Sequence, residues 1–292
     1  MNYQWYPGHM TKAIRMMQEN IKLVDMIIEV TDARIPLSGR NPDIDELGRN
    51  KSRLIILNKA DLADPVMNRK WADYFSAQGV LVMEMNSRQS GGVNEIRNMM
   101  RNACAEKIER DKKRGIINRP IRAMVAGIPN VGKSTFINHL AGKSSAKTGN
   151  KPGVTKGKQW IMLGNQIQLL DTPGILWPKF DDETVGLHLA LVGSMNDENL
   201  DSGELAISLI KLLDRNYPDA IENTYHVTRE QILNCKEEEN LISEEAACLD
   251  AIAINRNCYA QGARPDMMRA AALLLDDFRN GKLGRITLEK PE

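Results

Sequence analysis

The chain has 292 residues, 42% of them apolar and 26% charged, with a net charge of +1, a balance that excludes long disorder. No apolar run approaches the roughly eighteen residues of a membrane span. The stretch Met1-Asn2-Tyr3-Gln4-Trp5-Tyr6-Pro7-Gly8-His9 lacks the basic and apolar regions of a secretory leader, so a cytoplasmic location is expected.

In chain order, Gly8-His9-Met10 forms a turn before a helix beginning near Thr11. Val24–Val30, Leu54–Leu57, Val80–Met83, Ile121–Ala126 and Gln166–Leu170 are short apolar runs, mostly followed by polar or Gly/Pro turns. Runs of that length, buried on both faces, mark the parallel strands of an α/β sheet. Helical patterns lie between them at Pro65–Ala77 and Val93–Lys113. The second ends in Lys107, Arg110, Lys112, Lys113 and Arg114, cations that suit either a helix C-terminus or a phosphate backbone. After Asp171-Thr172-Pro173-Gly174 strands nearly vanish. Glu183–Val192, Ser202–Leu213, Thr228–Cys235, Glu244–Asn255 and Asp266–Phe278 read as helices, with Ser202 as an N-cap. Two domains are therefore expected, 1–178 and an all-helical 179–292.

Charge divides in the same place. Residues 1–178 hold 27 Lys and Arg against 16 Asp and Glu, a net +11, whereas residues 179–292 hold 12 against 22, a net −10. The positive part is the candidate for touching nucleic acid, although a charged face is also ordinary solvated surface. Cys104, Cys235, Cys248 and Cys258 are scattered without a C-x-x-C pair, which reads as reduced thiols and neither a disulfide frame nor a zinc site.

The strand Ile121–Ala126 runs into Gly127-Ile128-Pro129-Asn130-Val131-Gly132-Lys133-Ser134-Thr135 and then a helical stretch. This is G-x-x-x-x-G-K-S in its strand–loop–helix setting, where backbone N–H groups and a helix N-terminus cradle phosphate. Lys133 reaches the β- and γ-phosphate oxygens, and the Ser134 hydroxyl goes to Mg²⁺. The loop specifies phosphate and leaves the base open.

Base choice comes from Asn58-Lys59-Ala60-Asp61, directly after the strand Leu54–Leu57. A carboxylate there accepts from guanine N1–H and the 2-amino group. Adenine leaves it unmatched, which gives discrimination on the order of 10⁴-fold. Asn58 ties this turn to the phosphate loop, and the Lys59 stem covers a ring face. Asn86-Ser87-Arg88, after Val80–Met83, is placed to present backbone N–H groups to guanine O6, or is an ordinary turn. Downstream, Asp171 holds Mg²⁺ through water, and the Gly174 N–H senses the γ-phosphate. Within the polar stretch between Gly142 and Lys158, Thr155 is preferred over Thr148 as a threonine closing on Mg²⁺.

In Ras-like GTPases the phosphate loop comes first and the guanine-reading segment last. Here the order is Asn58–Asp61, Asn86–Arg88, Gly127–Ser134, Thr155, Asp171–Gly174. One site survives such a rearrangement because its parts lie on loops at the carboxyl edge of one parallel sheet. With Trp5-Tyr6-Pro7-Gly8-His9-Met10, Asp32-Ala33-Arg34-Ile35-Pro36, Arg40-Asn41-Pro42 and Lys151-Pro152-Gly153-Val154-Thr155, the chain resembles, over essentially its whole length, the circularly permuted GTPases of the YlqF/RbgA type. These are bacterial factors for late assembly of the large ribosomal subunit.

The resemblance implies a P-loop α/β fold with a circularly permuted Ras-like sheet, followed by a smaller helical domain similar to ANTAR RNA-binding modules. It implies the large subunit and its rRNA as partners, with Arg256, Arg264, Arg269, Arg279, Lys282 and Arg285 as a candidate RNA face. No membrane or DNA partner is expected, and the chain is taken as a monomer. Where Ras-like proteins carry a water-orienting glutamine, this chain has Ile175, so hydrolysis by the free protein should be slow. His9 is either a packing residue or, as the resemblance assigns it, the group that places the water. With Lys133 and Thr155 it makes up the expected catalytic set. Asn130 matches an asparagine that helps hold K⁺ in similar GTPases. Asn86-Ser87-Arg88 departs from the commoner Ser-Ala-Lys. The alternatives left open are a nucleotide-gated protein–protein adaptor and an ATPase.

Overall fold

A computed structural model of the chain describes residues 15–89, 91–142, 159–172, 182–195, 200–238, 243–262 and 264–291. His9, Thr148, Thr155, Gly174 and Ile175 lie outside the described residues, as does most of the Gly142–Lys158 stretch. Two compact units result, residues 2–186 with 289–292, and residues 187–288. The division falls after residue 186, beyond the expected boundary at 178, and residues 289–292 join the first unit.

In the first unit, helix α1 (described over residues 15–21) precedes β1 (Met26–Asp32), α2 (Asp43–Leu47), β2 (Ser52–Asn58), α3 (Pro65–Ala77) and β3 (Leu81–Met85). There follow α4 (Val93–Ala103), α5 (Ala105–Lys113), β4 (Ile121–Ala126), α6 (Lys133–Ala141), β5 (Gln159–Leu163) and β6 (Ile167–Asp171). The sheet order is β3-β2-β1-β4-β6-β5, parallel throughout except for β5, which runs antiparallel to β6. Every residue of the central β1 is buried, although Glu29, Thr31 and Asp32 interrupt its apolar run.

One face of the sheet is covered by two helices whose sequences explain their packing. Asp64 accepts from Val66 N–H at 2.7 Å ahead of Pro65, a capped entry that starts α3 where the sequence expected it. Helix α3 then lays Trp71 and Phe75, stacked at 5.5 Å, onto Ile55 and Leu57. Met17 and Ile21 of α1 pack with Ile27, Ile44, Met124 and Leu170.

The helix expected over Val93–Lys113 is two helices, broken at Cys104 (φ −104°, ψ 12°), where Ser52 Oγ donates to the Ala103 carbonyl at 2.6 Å. Its basic end is partly neutralised, because Lys107 pairs with Asp25 and Asp111, and Lys112 with Glu109. Strand β5 was not expected. Its edge position exposes Trp160 and Met162 while burying Ile161 and Leu163.

Helix α7 (Glu183–Leu191) carries the chain into the second unit, which holds α8 (Ser202–Asn216), α9 (Asp219–Tyr225), α10 (Arg229–Glu238), α11 (Glu244–Asn255) and α12 (Met267–Arg279). Leu205, Leu209, Leu213, Leu249, Ile252, Leu274 and Phe278 are buried in its core. The N-cap of α8 is Asp201, one residue before the expected Ser202. Its carboxylate accepts from Gly203 and Glu204 N–H at 2.8 and 3.0 Å. All four cysteines are free and buried. Among the described residues no helix is long and apolar enough to cross a membrane.

Beneath the sheet edge lies a buried ionic group. Glu29 Oε2 in β1 accepts from Arg40 Nε and Nη2 at 3.1 and 3.0 Å and from Arg53 Nη2 at 3.1 Å. Arg40 also reaches Asp45 at 2.7 Å and lies 5.1 Å from the Phe75 ring centre. Removing one partner strands the others in a low dielectric, at a cost of about 3–5 kcal/mol. Glu29→Ala is therefore expected to lower stability by about that amount, read from urea unfolding. A loss under about 1 kcal/mol would mean that the arginines find water instead.

Candidate functional site

Parallel register brings the ends of five strands to one edge: Asp32 lies opposite Asn58, Asn58 opposite Met85, and Val125 opposite Asp171. From β1 the chain proceeds to β2 and β3 on one side, while β4 and β6 lie on the other. The strand order thus reverses between β1 and β4, where open α/β sheets bind ligands.

The loop after β4 enters that crevice through two glycines whose conformations exclude a side chain. Gly127 has φ +148°, and a Cβ there would lie 2.3 Å from the Val30 carbonyl oxygen of β1. Gly132 has φ +94°, and its Cβ would lie 2.5 Å from Asn58 Nδ2. Asn130 is left-handed too, at φ +61°. Helix α6 then begins at Lys133 with no side-chain cap, so the amides of its first turn have no side-chain acceptor of their own.

Lys133 is buried and donates to the Ile128 carbonyl at 2.6 Å within the same loop. Burial pushes its ammonium down to about 8, with Asp171 pulling the other way. Ser134 and Thr135 are half-buried in the first turn of α6. Asp171 is buried at the end of β6, and Thr172 Oγ1 donates to the Val125 carbonyl at 2.7 Å. A hydroxyl and a carboxylate beside a lysine form an all-oxygen donor set that fits Mg²⁺, which keeps several of its waters.

The turn after β2 is anchored to this loop by one side chain. Asn58 Nδ2 donates to the Val131 carbonyl at 2.6 Å, and Asn58 Oδ1 accepts from Ser87 N–H at 3.0 Å. A single amide thereby joins the 58–61 turn, the 86–88 turn and the phosphate loop. Ser87 is buried, and Arg88 N–H donates to Asn86 Oδ1 at 2.9 Å. Ala60 N–H donates to the Met85 carbonyl at 3.1 Å, which presents Asp61 exposed at the same edge.

Lys59 is left-handed, φ 58°, and its Nζ lies 2.8 Å from Asp32 Oδ2. Asp32 and Arg34 belong to the Asp32–Pro36 string, to which sequence reasoning gave no role. The available signal was an acid ending the most buried strand, one step along the edge from the 58–61 turn.

Among the candidate RNA-face cations, three are engaged within the helical unit. Arg279 donates to the Ala190 and Leu191 carbonyls at 2.9 and 3.0 Å, Lys282 pairs with Asp277 at 2.7 Å, and Arg256 lies 5.6 Å from the Tyr225 ring centre. Arg256, Arg264, Arg269, Lys282 and Arg285 are all exposed. His139 contacts the Gly91 carbonyl at 2.6 Å, and His188 is buried.

The family model of 50S ribosome-binding GTPases matches residues 122–243. Over 292 residues the chain is 42% identical to ribosome biogenesis GTPase A of Bacillus pumilus, with 100% of each chain covered. It is 44% identical to the protein of the same name from Bacillus cereus, covering 100% of this chain and 95% of that one. A GNP-bound structure of YlqF from Thermotoga maritima superimposes with a TM-score of 0.67 at 28% identity, covering 96% of this chain and 99% of that one.

The depressed Lys133 yields a measurable proton signature. At a pH near 8, about half of these side chains are neutral in the nucleotide-free protein, and an arriving phosphate raises the pKa again. Binding of GDP should then take up about half a proton at pH 8, with affinity falling as pH rises from about 7 to 9. Calorimetry in buffers of different ionisation enthalpy reads the uptake, and zero uptake would contradict the burial of Lys133.

Proposed function

The chain belongs to the ribosome biogenesis GTPase A family, GTP-binding and GTP-hydrolysing proteins of ribosome biogenesis, and we propose that it acts as a cytoplasmic switch in late assembly of the large subunit. The observation that carries the reading is the Asn58 amide, which holds the base-reading turn and the phosphate loop together as two ends of one nucleotide site.

In that site Asp61 reads guanine N1–H and the 2-amino group, and the turn Asn86–Arg88 offers N–H groups to O6. Val131, Gly132, Lys133, Ser134 and Thr135 receive the phosphates. Their amides, fixed before the nucleotide arrives, match charge that grows on the γ-phosphoryl oxygens as the bond to water forms. Ser134, Thr155 and Asp171 would hold Mg²⁺, which would supply positive charge to the phosphate oxygens. Asn130 would help hold K⁺, which would add to that charge.

Ile175 cannot orient water, so that task falls to His9, whose imidazole accepts from the attacking molecule. Gly174 senses the γ-phosphate and passes its loss into the segment that leads to the helical unit. That unit meets rRNA through the cluster of Arg256, Arg264, Arg269, Arg279, Lys282 and Arg285, with the protein working as a monomer.

A second reading is favoured by the acidic balance of residues 179–292, 22 acids against 12 bases: a nucleotide-gated adaptor whose helical unit binds a basic protein. Affinity for naked rRNA that falls steeply with salt supports the first reading, and absence of such affinity supports the second.

Turnover by the free protein should be slow and rise many-fold with large-subunit particles. His9→Ala should lose roughly a hundredfold or more of the stimulated rate while GTP binding is kept, as single-turnover kinetics on such particles would show. Normal turnover by that variant removes His9 from the mechanism. Asp61→Asn should abolish the preference for GDP over ADP in a competition titration, and an unchanged preference would contradict the base assignment.

A further inference from the structure

Lys59 adopts a conformation that a non-glycine residue leaves unless something holds it, at φ 58°. It occupies the turn between Asn58, which fixes the phosphate loop, and Asp61, which faces the base. What holds it lies outside the turn. Asp32 ends β1 directly opposite Asn58, so its side chain leaves the sheet beside residue 59. The Asp32 carboxylate is buried and receives four donors: Arg34 N–H at 3.1 Å and Arg34 Nε at 2.9 Å on Oδ1, Arg34 Nη2 at 2.8 Å and Lys59 Nζ at 2.8 Å on Oδ2. The backbone repeats the link, with Ala33 N–H donating to the Asn58 carbonyl at 2.8 Å.

We propose that Asp32, gripped by Arg34, is a positioning residue for guanine recognition, anchoring Lys59 and through it the turn that carries Asp61. The proposal rests on the reading of the 58–61 turn as the guanine reader and adds the device that sets its geometry. The local electrostatics favour it. Burial would raise the Asp32 carboxyl, but the charges of Arg34 and Lys59 outweigh burial and hold it far below the usual carboxylate range. Arg34 and Arg88 both repel the Lys59 ammonium, and Asp32 is the counter-charge that offsets them. Without it three cations crowd one turn, and the left-handed Lys59 backbone has no side-chain anchor. A buried ion pair is a weak source of net stability but a directional one, which suits it to fixing a single turn conformation.

The test compares GDP and IDP affinities by fluorescent-nucleotide competition in four full-length proteins: wild type, Asp32→Asn, Lys59→Met and the double variant. IDP lacks the 2-amino group, so the GDP-to-IDP ratio reports how well Asp61 is aimed. Asp32→Asn is expected to weaken GDP roughly tenfold and to shrink the ratio. In the Lys59→Met background the same change should add less than about twofold, since its effect runs through Lys59. If Asp32→Asn leaves Arg34 uncompensated and fails to fold, the charge-balanced Asp32→Asn/Arg34→Met replaces it, with the same expectation. A ratio unchanged in the folded Asp32 variant, or a loss undiminished in the Lys59→Met background, overturns the proposal while guanine binding by the wild type stands. A wild type that does not prefer GDP to ADP overturns it together with the reading beneath it.

Discussion

One carboxamide joins three segments that lie far apart in the chain. Asn58 donates to Val131, 73 positions downstream, and accepts from Ser87, 29 positions downstream. Both partners are backbone groups, and both bonds are buried, where an unmatched donor or acceptor would cost about 1–3 kcal/mol. The close approach of Gly132 to the same Nδ2 shows how little slack there is: no other residue type fits at that distance with φ +94°. A nucleotide site needs its phosphate end and its base end at a fixed separation, and this amide supplies it. The order in which the chain delivers the two ends is then immaterial.

The two halves of the site are stiffened by different means. On the phosphate side the loop is shaped by backbone: glycines at forced angles, an uncapped helix start, and a lysine held by a carbonyl of its own loop. On the base side rigidity comes from buried charge. Strand β1 carries Glu29 and Asp32 in an otherwise apolar, fully buried run, and arginines neutralise both. Acids in a central strand gain nothing from burial itself. Their use is directional, Glu29 tying Arg40 and Arg53 together and Asp32 tying the 33–34 segment to the turn at 59.

Much of this was legible in the sequence, for reasons that differ from element to element. Helix α3 announced itself by Asp64-Pro65 and apolar spacing, and β4 by an apolar run ending at a glycine loop. Asn58, Lys133 and Ser134 could be placed because strand–loop contexts accompany their motifs. The misses have physical causes. Strand β5 shows only Trp160-Ile161-Met162-Leu163 before Gly164, an amphipathic edge with no long apolar run. The break at Cys104 depends on a tertiary bond from Ser52, which local pattern cannot register. The N-cap fell on Asp201 because two capping residues stand side by side and the backbone decides between them. Arg279 and Lys282 also meet carbonyls and an acid within their own helical unit, which the sequence pattern does not show.

The central claim is that Asn58–Asp61 and Gly127–Ser134 form one site for one guanine nucleotide. A crystal structure of the full chain with GDP tests it most directly. The predicted result places the Asp61 carboxylate on the base N1–H and 2-amino group, and Lys133 with the first α6 amides on the phosphates of the same molecule. A GDP bound at the phosphate loop with its base turned away from Asp61 would contradict the account.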